Sequence, residues 1–140
     1  MRVTYARSAA LAAASHEQRR SIMAMKLNHV HLKSPDPKKT AQFYVDTLGA
    51  TIVAEIGTRG YRLNLHGLTI NLTTFVEDQK RQQLYGMEHF ALDTDNMDDT
   101  LAKLTGNGAR VLEQMVSNGR RICFLEGLDG VQLEIIEMKS

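Results

Sequence analysis

The stretch LNHVHLKSPDPKKTAQFYVDTLGA, residues 27–50, decides how the rest of the chain is read. It opens on a short apolar run in which Val30 and Leu32 alternate with His29, His31 and Lys33. That period of two is a β-strand with one apolar and one polar face. SPDP then breaks the strand. Asp36 is placed to cap a helix, Pro37 suits its first turn, and Gly49 sits where a helix stops. Ala41, Phe43, Tyr44 and Leu48 are spaced as its apolar stripe. A row of nitrogen bases on one face of a half-buried strand either meets water or lines a site.

Three strand-like runs follow at 50–56, 60–66 and 68–75, punctuated by Gly57, Gly60 and Gly67. The order then repeats. MEHFALD (87–93) leads into DNMDDTLAKLTGNGA, a helix capped by Asp95 or Asn96 and ended by Gly106 and Gly108. Strands are predicted at about 109–117, 120–126 and 130–137, with turns at Asn118-Gly119 and Asp129-Gly130. His29 and His89 stand 60 residues apart at the start of the two units, and TINLTT answers to QLEIIE. A repeat of this length predicts two similar modules whose sheets cover one another, 26–75 and 87–138. They are joined by a polar linker, VEDQKRQQLYG (76–86), read as a short helix or lid.

Composition narrows the function classes. At 140 residues, 43% hydrophobic and 24% charged, the chain is one ordinary globular domain, spanning 26–138. No apolar run approaches the roughly 18 residues of a membrane span, so no membrane role is expected. Residues 1–24 hold four arginines and one glutamate, so that without them the 17 basic and 16 acidic residues become 13 and 15. A near-neutral body without a basic stripe offers no footprint for nucleic acid. Residues 1–25 are read as a disordered or dispensable extension, in preference to an address signal. The single Cys123 excludes an internal disulfide and suits a reducing compartment; the cytoplasm is the expected location.

NHVHL, FYVDTLG, EHFAL and GLDGVQLEIIE, in this order and at these spacings, resemble the vicinal oxygen chelate superfamily. That superfamily includes glyoxalase I, methylmalonyl-CoA epimerase, extradiol dioxygenases and metal-free bleomycin-binding proteins. The resemblance covers about 26–138. It implies an α+β fold of two βαβββ modules forming a cupped, glyoxalase-like mixed sheet, and commonly a homodimer.

Equivalent repeat positions then pair His29 with His89 and Asn71 with Glu134. A pseudo-twofold would bring all four into one cup. Two imidazoles and a carboxylate bind a divalent first-row metal and leave coordination positions open for substrate. A lone strand histidine is more often a hydrogen-bonded core or surface residue, but two at equivalent positions with Glu134 favour a site. In the superfamily the corresponding positions are metal ligands, so the resemblance carries that role to His29, His89 and Glu134. The metal is Fe, Ni, Mn, Co or Zn. Asn71 departs from the pattern, since glyoxalase I has glutamate there and the epimerases glutamine. It is a fourth ligand or a substrate contact, with direct ligation disfavoured. His31 is a candidate acid, base or second partner. Lys33 takes the position of a glutathione-contacting arginine in glyoxalases. Arg62, Asn64 and His66 are read as the wet face of an edge strand, or as an anion site. Cys123, Met87, Met97 and Met115 are read as core.

The expected substrate is a small molecule with two adjacent oxygens that chelate the metal. The leading reading is a glyoxalase- or epimerase-like lyase or isomerase in which Glu134 moves a proton beside a carbonyl. A non-haem Fe(II) dioxygenase, needing only two histidines and one carboxylate, is the alternative. A metal-free binding protein is the third, weakened by the presence of all three ligands.

Overall fold

The computed structural model describes residues 24–139. Module one comprises β1 (Met25–Lys33), α1 (Pro37–Leu48), β2 (Thr51–Ile56), β3 (Gly60–Leu65) and β4 (Leu68–Thr73). Module two comprises β5 (Gly86–Thr94), α2 (Met97–Gly106), β6 (Arg110–Ser117), β7 (Arg120–Glu126) and β8 (Gln132–Glu137). The predicted extension lies outside the described residues up to residue 23, whereas Met25 already pairs with Thr94 in the sheet. Among the described residues no helix is long and apolar enough to cross a membrane.

Local chemistry places both helices. The Asp36 carboxylate accepts from the Lys39 amide at 3.1 Å, Pro37 occupies the first turn, and Gly49 closes α1 in the left-handed conformation at φ 73°. Asn96, rather than Asp95, caps α2 by accepting from the Asp99 amide at 3.1 Å. Asp95 instead accepts from the Ala24 amide, tying down the entry to β1.

The eight strands form one mixed α+β sheet in the order β2-β3-β4-β1-β5-β8-β7-β6. The modules do not lie face to face. They join edge to edge through antiparallel β1 and β5 within a single chain. Register makes the repeat exact in number. His29 faces Ala91 and His31 faces His89, two pairs that exchange under an offset of 60. In the parallel pairs that follow, His31 faces Asn71 and Ala91 faces Glu134, so Asn71 and Glu134 are structural equivalents.

Strand alternation sorts the two faces. Leu32, Leu63, Ile70 and Leu72 pack under Ala41 and Tyr44 of α1, while Cys123, Leu125 and Ile135 pack under Met97, Leu101 and Leu104 of α2. Leu63, Leu72, Leu125 and Ile135 are fully enclosed, each contributing about 1.5–3 kcal/mol of burial. Several expectations fail here. Phe43 and Leu48 point to solvent, so the packed stripe of α1 is narrower than its sequence predicts. Met97 is core, but Met87 is 60% exposed and Met115 sits on the open side of β6. The edge strands are β2 and β6, so β3 with Arg62 is interior. Residues 76–85 contain no helix and run as an irregular strap.

One close approach in module one limits substitution. A Cβ on Gly60 would fall 1.8 Å from the Leu72 carbonyl oxygen, so β3 and β4 must part to admit any side chain. Gly60→Ala is expected to lower stability by about 3 kcal/mol, the upper range for overpacking, as read from urea unfolding. An unchanged midpoint would show that the two strands separate without cost.

Candidate metal centre

The concave face of the sheet carries the polar half of each strand and encloses a cavity of about 680 Å³. His29, His31, His89, Asn71 and Glu134 all line it. The structure therefore brings every predicted ligand position into one cup, together with Arg62. It leaves out Asn64, whose Oδ1 accepts from the Gly67 amide, and His66, whose Nε2 bonds the Leu48 carbonyl.

Two β-bulges build the centre. Between Leu27 and His29 the β1–β5 register skips Asn28, and between His31 and Leu32 it skips Glu88 on β5. Asn28 and Glu88 are again 60 residues apart, each directly before a histidine. A bulge lets a strand turn a residue away from strict alternation. Asn28 Oδ1 accepts from His29 Nδ1 at 2.7 Å, and Glu88 Oε1 accepts from His89 Nδ1 at 3.1 Å. The Asn28 amide is oriented by its own bond to Asp93, Nδ2 to Oδ1 at 3.0 Å. Since both partners accept, both imidazoles carry their proton on Nδ1, and the Nε2 lone pairs are left facing the cup.

Those lone pairs meet a third. Glu134 Oε2 lies 3.0 Å from His89 Nε2 and 3.5 Å from His29 Nε2. Three electron-pair donors aimed at one point repel unless a cation or a proton lies between them. The donor set fits a divalent first-row metal: two neutral imidazoles, one carboxylate, and a bonded partner behind each ring. His31 stands beside them, its ring stacked on His89 at 4.8 Å between centroids and its Nε2 bonded to Thr73 Oγ1 at 2.8 Å. Ligand atoms of His29, His31 and His89 lie within 4.8 Å of one another.

Electrostatics follow the same division. Burial lowers the His29 pKa, opposed by the Glu134 carboxylate. Burial, reinforced by the neighbouring His89 and His29, pushes His31 down to about 3 and keeps it neutral. For His89 burial again opposes charge, but hydrogen bonds to Glu134 and Glu88 outweigh it and raise the pKa. The Glu134 bond that raises His89 therefore competes with a metal for the same Nε2.

Beneath the histidines lies a network that alternation alone conceals. Glu88 is buried, and although burial by itself would raise its pKa, the bond to His89 and the Lys33 and Arg81 charges hold it at about 2. Lys33 Nζ lies 3.4 Å from Glu88 Oε2 and donates to Gln79 and Gln83 of the strap at 2.8 and 2.6 Å. Arg81 reaches down from the strap and bonds Glu88, Glu113 and Gln132 at 3.2, 3.1 and 3.0 Å. Its guanidinium lies 3.4 Å over the Phe124 ring, which meets His89 edge-on at 5.3 Å. Lys33 is thus a strap anchor with its charge already matched. Asn71 Oδ1 accepts from Arg62 Nε at 3.1 Å.

A two-module cup with donor side chains converging from β1, β5 and β8 is an arrangement that could hold a metal ion. The chain belongs to the Glyoxalase/Bleomycin resistance protein/Dioxygenase superfamily, whose family model matches residues 26–135. It is 27% identical over 128 residues to a probable lactoylglutathione lyase of Synechocystis sp. (strain PCC 6803), covering 83% of this chain and 98% of that protein. The fold is similar to that of methylmalonyl-CoA epimerase from Mycobacterium tuberculosis, with a TM-score of 0.61, 20% identity, and 87% and 96% of the two chains covered. A superfamily member from Vibrio splendidus 12B01 is similar at a TM-score of 0.59 and 15% identity, over 84% of this chain and all of the other.

Proposed function

We propose that this chain is a metal-dependent enzyme acting on a small substrate with two adjacent oxygens, most simply a lyase or isomerase of the glyoxalase or epimerase type. The observation that carries the reading is the convergence of His29 Nε2, His89 Nε2 and Glu134 Oε2 with both Nδ1 atoms already bonded. His29, His89 and Glu134 would hold the metal. When bound, a divalent cation supplies electrophilic stabilisation of negative charge developing on the substrate's oxygens. Glu134 is the carboxylate placed to take and return a proton beside the substrate carbonyl. His31, kept neutral by burial, completes the wall and orients Thr73. The similarity to the lyase named above supports this reaction class.

One observation favours a second reading. Asn71 Oδ1 accepts from Arg62, which favours two histidines and one carboxylate as the protein ligands. That set is the facial triad of non-haem Fe(II) dioxygenases.

Metal analysis of protein purified anaerobically without a metal-binding tag tests both. About one divalent metal per chain, lost in a His89→Ala, Glu134→Ala double variant, is the expected result. Iron with oxygen-dependent turnover selects the dioxygenase; nickel, cobalt or zinc selects the lyase or isomerase. A protein that is metal-free and refuses added metal overturns both and leaves a binding protein.

A further inference from the structure

Among the described residues four cationic side chains line the cavity, and two of them are matched internally. Lys33 and Arg81 are held by Glu88 and Glu113 beneath the strap. Arg59 and Arg62, on the module-one wall, make no ion pair among the described residues. Asp78, the strap acid lining the same cavity, pairs with neither.

Arg62 is held as well as charged. Its Nε donates to Asn71 Oδ1, which fixes the guanidinium plane. The two terminal amino groups find no acceptor among the described residues, and such a pair is the fork that takes an oxyanion through two parallel bonds. The sheet's pseudo-symmetry shows that only one wall is built this way. Arg62 faces Asn71 on β3 and β4, and the equivalent pair on β7 and β8 is Phe124 facing Glu134. Where module two sets an aromatic ring beside a carboxylate, module one sets a guanidinium beside an amide. A glutamate at position 71 would pair with Arg62 and cancel its charge. Asparagine holds the guanidinium and leaves the charge available.

We propose that Arg62, positioned by Asn71 on the module-one wall of the cup, is the recognition site for an oxyanion carried by the substrate. The substrate class is therefore an acid, bearing a carboxylate or a phosphate, and not a neutral dicarbonyl or diol. The inference rests on the reading of this cup as the substrate site. It does not require the metal to be bound, because Arg62 and Asn71 are fixed by each other.

The test uses ¹⁵N-labelled, metal-free full-length protein, following the arginine Nε–H resonances during titration with acetate, with inorganic phosphate, and with acetamide as the neutral control. Saturable movement of the Arg62 resonance with acetate or phosphate, and none with acetamide, is expected. Arg62→Gln should weaken binding, read from backbone amides of β3 and β4, by about tenfold or more. Arg62→Lys should weaken it too, since lysine keeps the charge but loses the Nε–Asn71 tether. The tighter of the two anions names the source as carboxylate or phosphate. Absence of saturable movement with either anion, or equal binding by Arg62→Gln, overturns the proposal. Failure of the metal reading shows separately, as absent metal in the stoichiometry measurement, and leaves this titration interpretable.

Discussion

Replacing Glu88 with alanine is expected to destabilise the fold by about 3–5 kcal/mol, the range for removing one partner of a buried ion pair. Glu88 is 4% exposed as a residue and its side chain not at all, and three groups depend on its carboxylate: Lys33 within 3.4 Å, Arg81 at 3.2 Å and His89 Nδ1 at 3.1 Å. Alanine leaves two buried cations facing a cavity, and water entering from the cup only partly repays their lost partner. Arg81 retains Glu113 and Gln132, so the strap should loosen rather than detach. Urea unfolding reads the loss, and amide exchange across residues 76–85 reads the loosening. Glu88→Gln keeps the shape and one acceptor, so its cost should fall between that of alanine and wild type. A loss from alanine no larger than for an ordinary surface substitution, within about 0.5 kcal/mol, would show the network to be solvated and not structural.

The position of Glu88 also shows where sequence reasoning stops. The two modules, the strand order within each and both helix caps follow from period-two alternation, glycine placement and Asp or Asn before a helical stripe. His29, His89 and Glu134 follow from the same rules plus the repeat, and register later gives the offset of 60 a physical basis. Glu88 does not follow. Alternation assigns it to the helix-packed face, opposite His89, and only the bulge turns it onto the cup. A signal existed: Asn28 and Glu88 each precede a repeated histidine, and a polar residue at both equivalent positions of an apolar strand is unexpected on the packed face. Arg81 and Gln132 were hidden differently. The strap has no periodicity to read, and its side chains are placed by long-range ion pairs and hydrogen bonds between residues up to 51 apart. Met87 and Met115 mislead because composition says what a residue tolerates, whereas exposure depends on which face the tertiary sheet leaves uncovered.

Glu134→Gln should separate the two reaction readings. The amide matches the carboxylate in shape but removes the charge that opposes the His89 and His29 lone pairs at 3.0 and 3.5 Å. In the metal-free protein its NH₂ can donate where the carboxylate could only accept, so the folding cost should stay below about 1 kcal/mol, the net value of one hydrogen bond. Metal affinity should fall steeply, because a neutral oxygen replaces the one anionic ligand. The kinetics then divide. If Glu134 both holds the metal and transfers the proton, saturating metal restores occupancy but leaves turnover down by about 10²–10⁴-fold, the usual contribution of a positioned base. If Glu134 serves only as the carboxylate of a facial triad, turnover rises in proportion to occupancy as iron is added. Stability and occupancy unchanged together would remove Glu134 from the ligand set, and the convergence of the three donors would then belong to a protonated His89 alone.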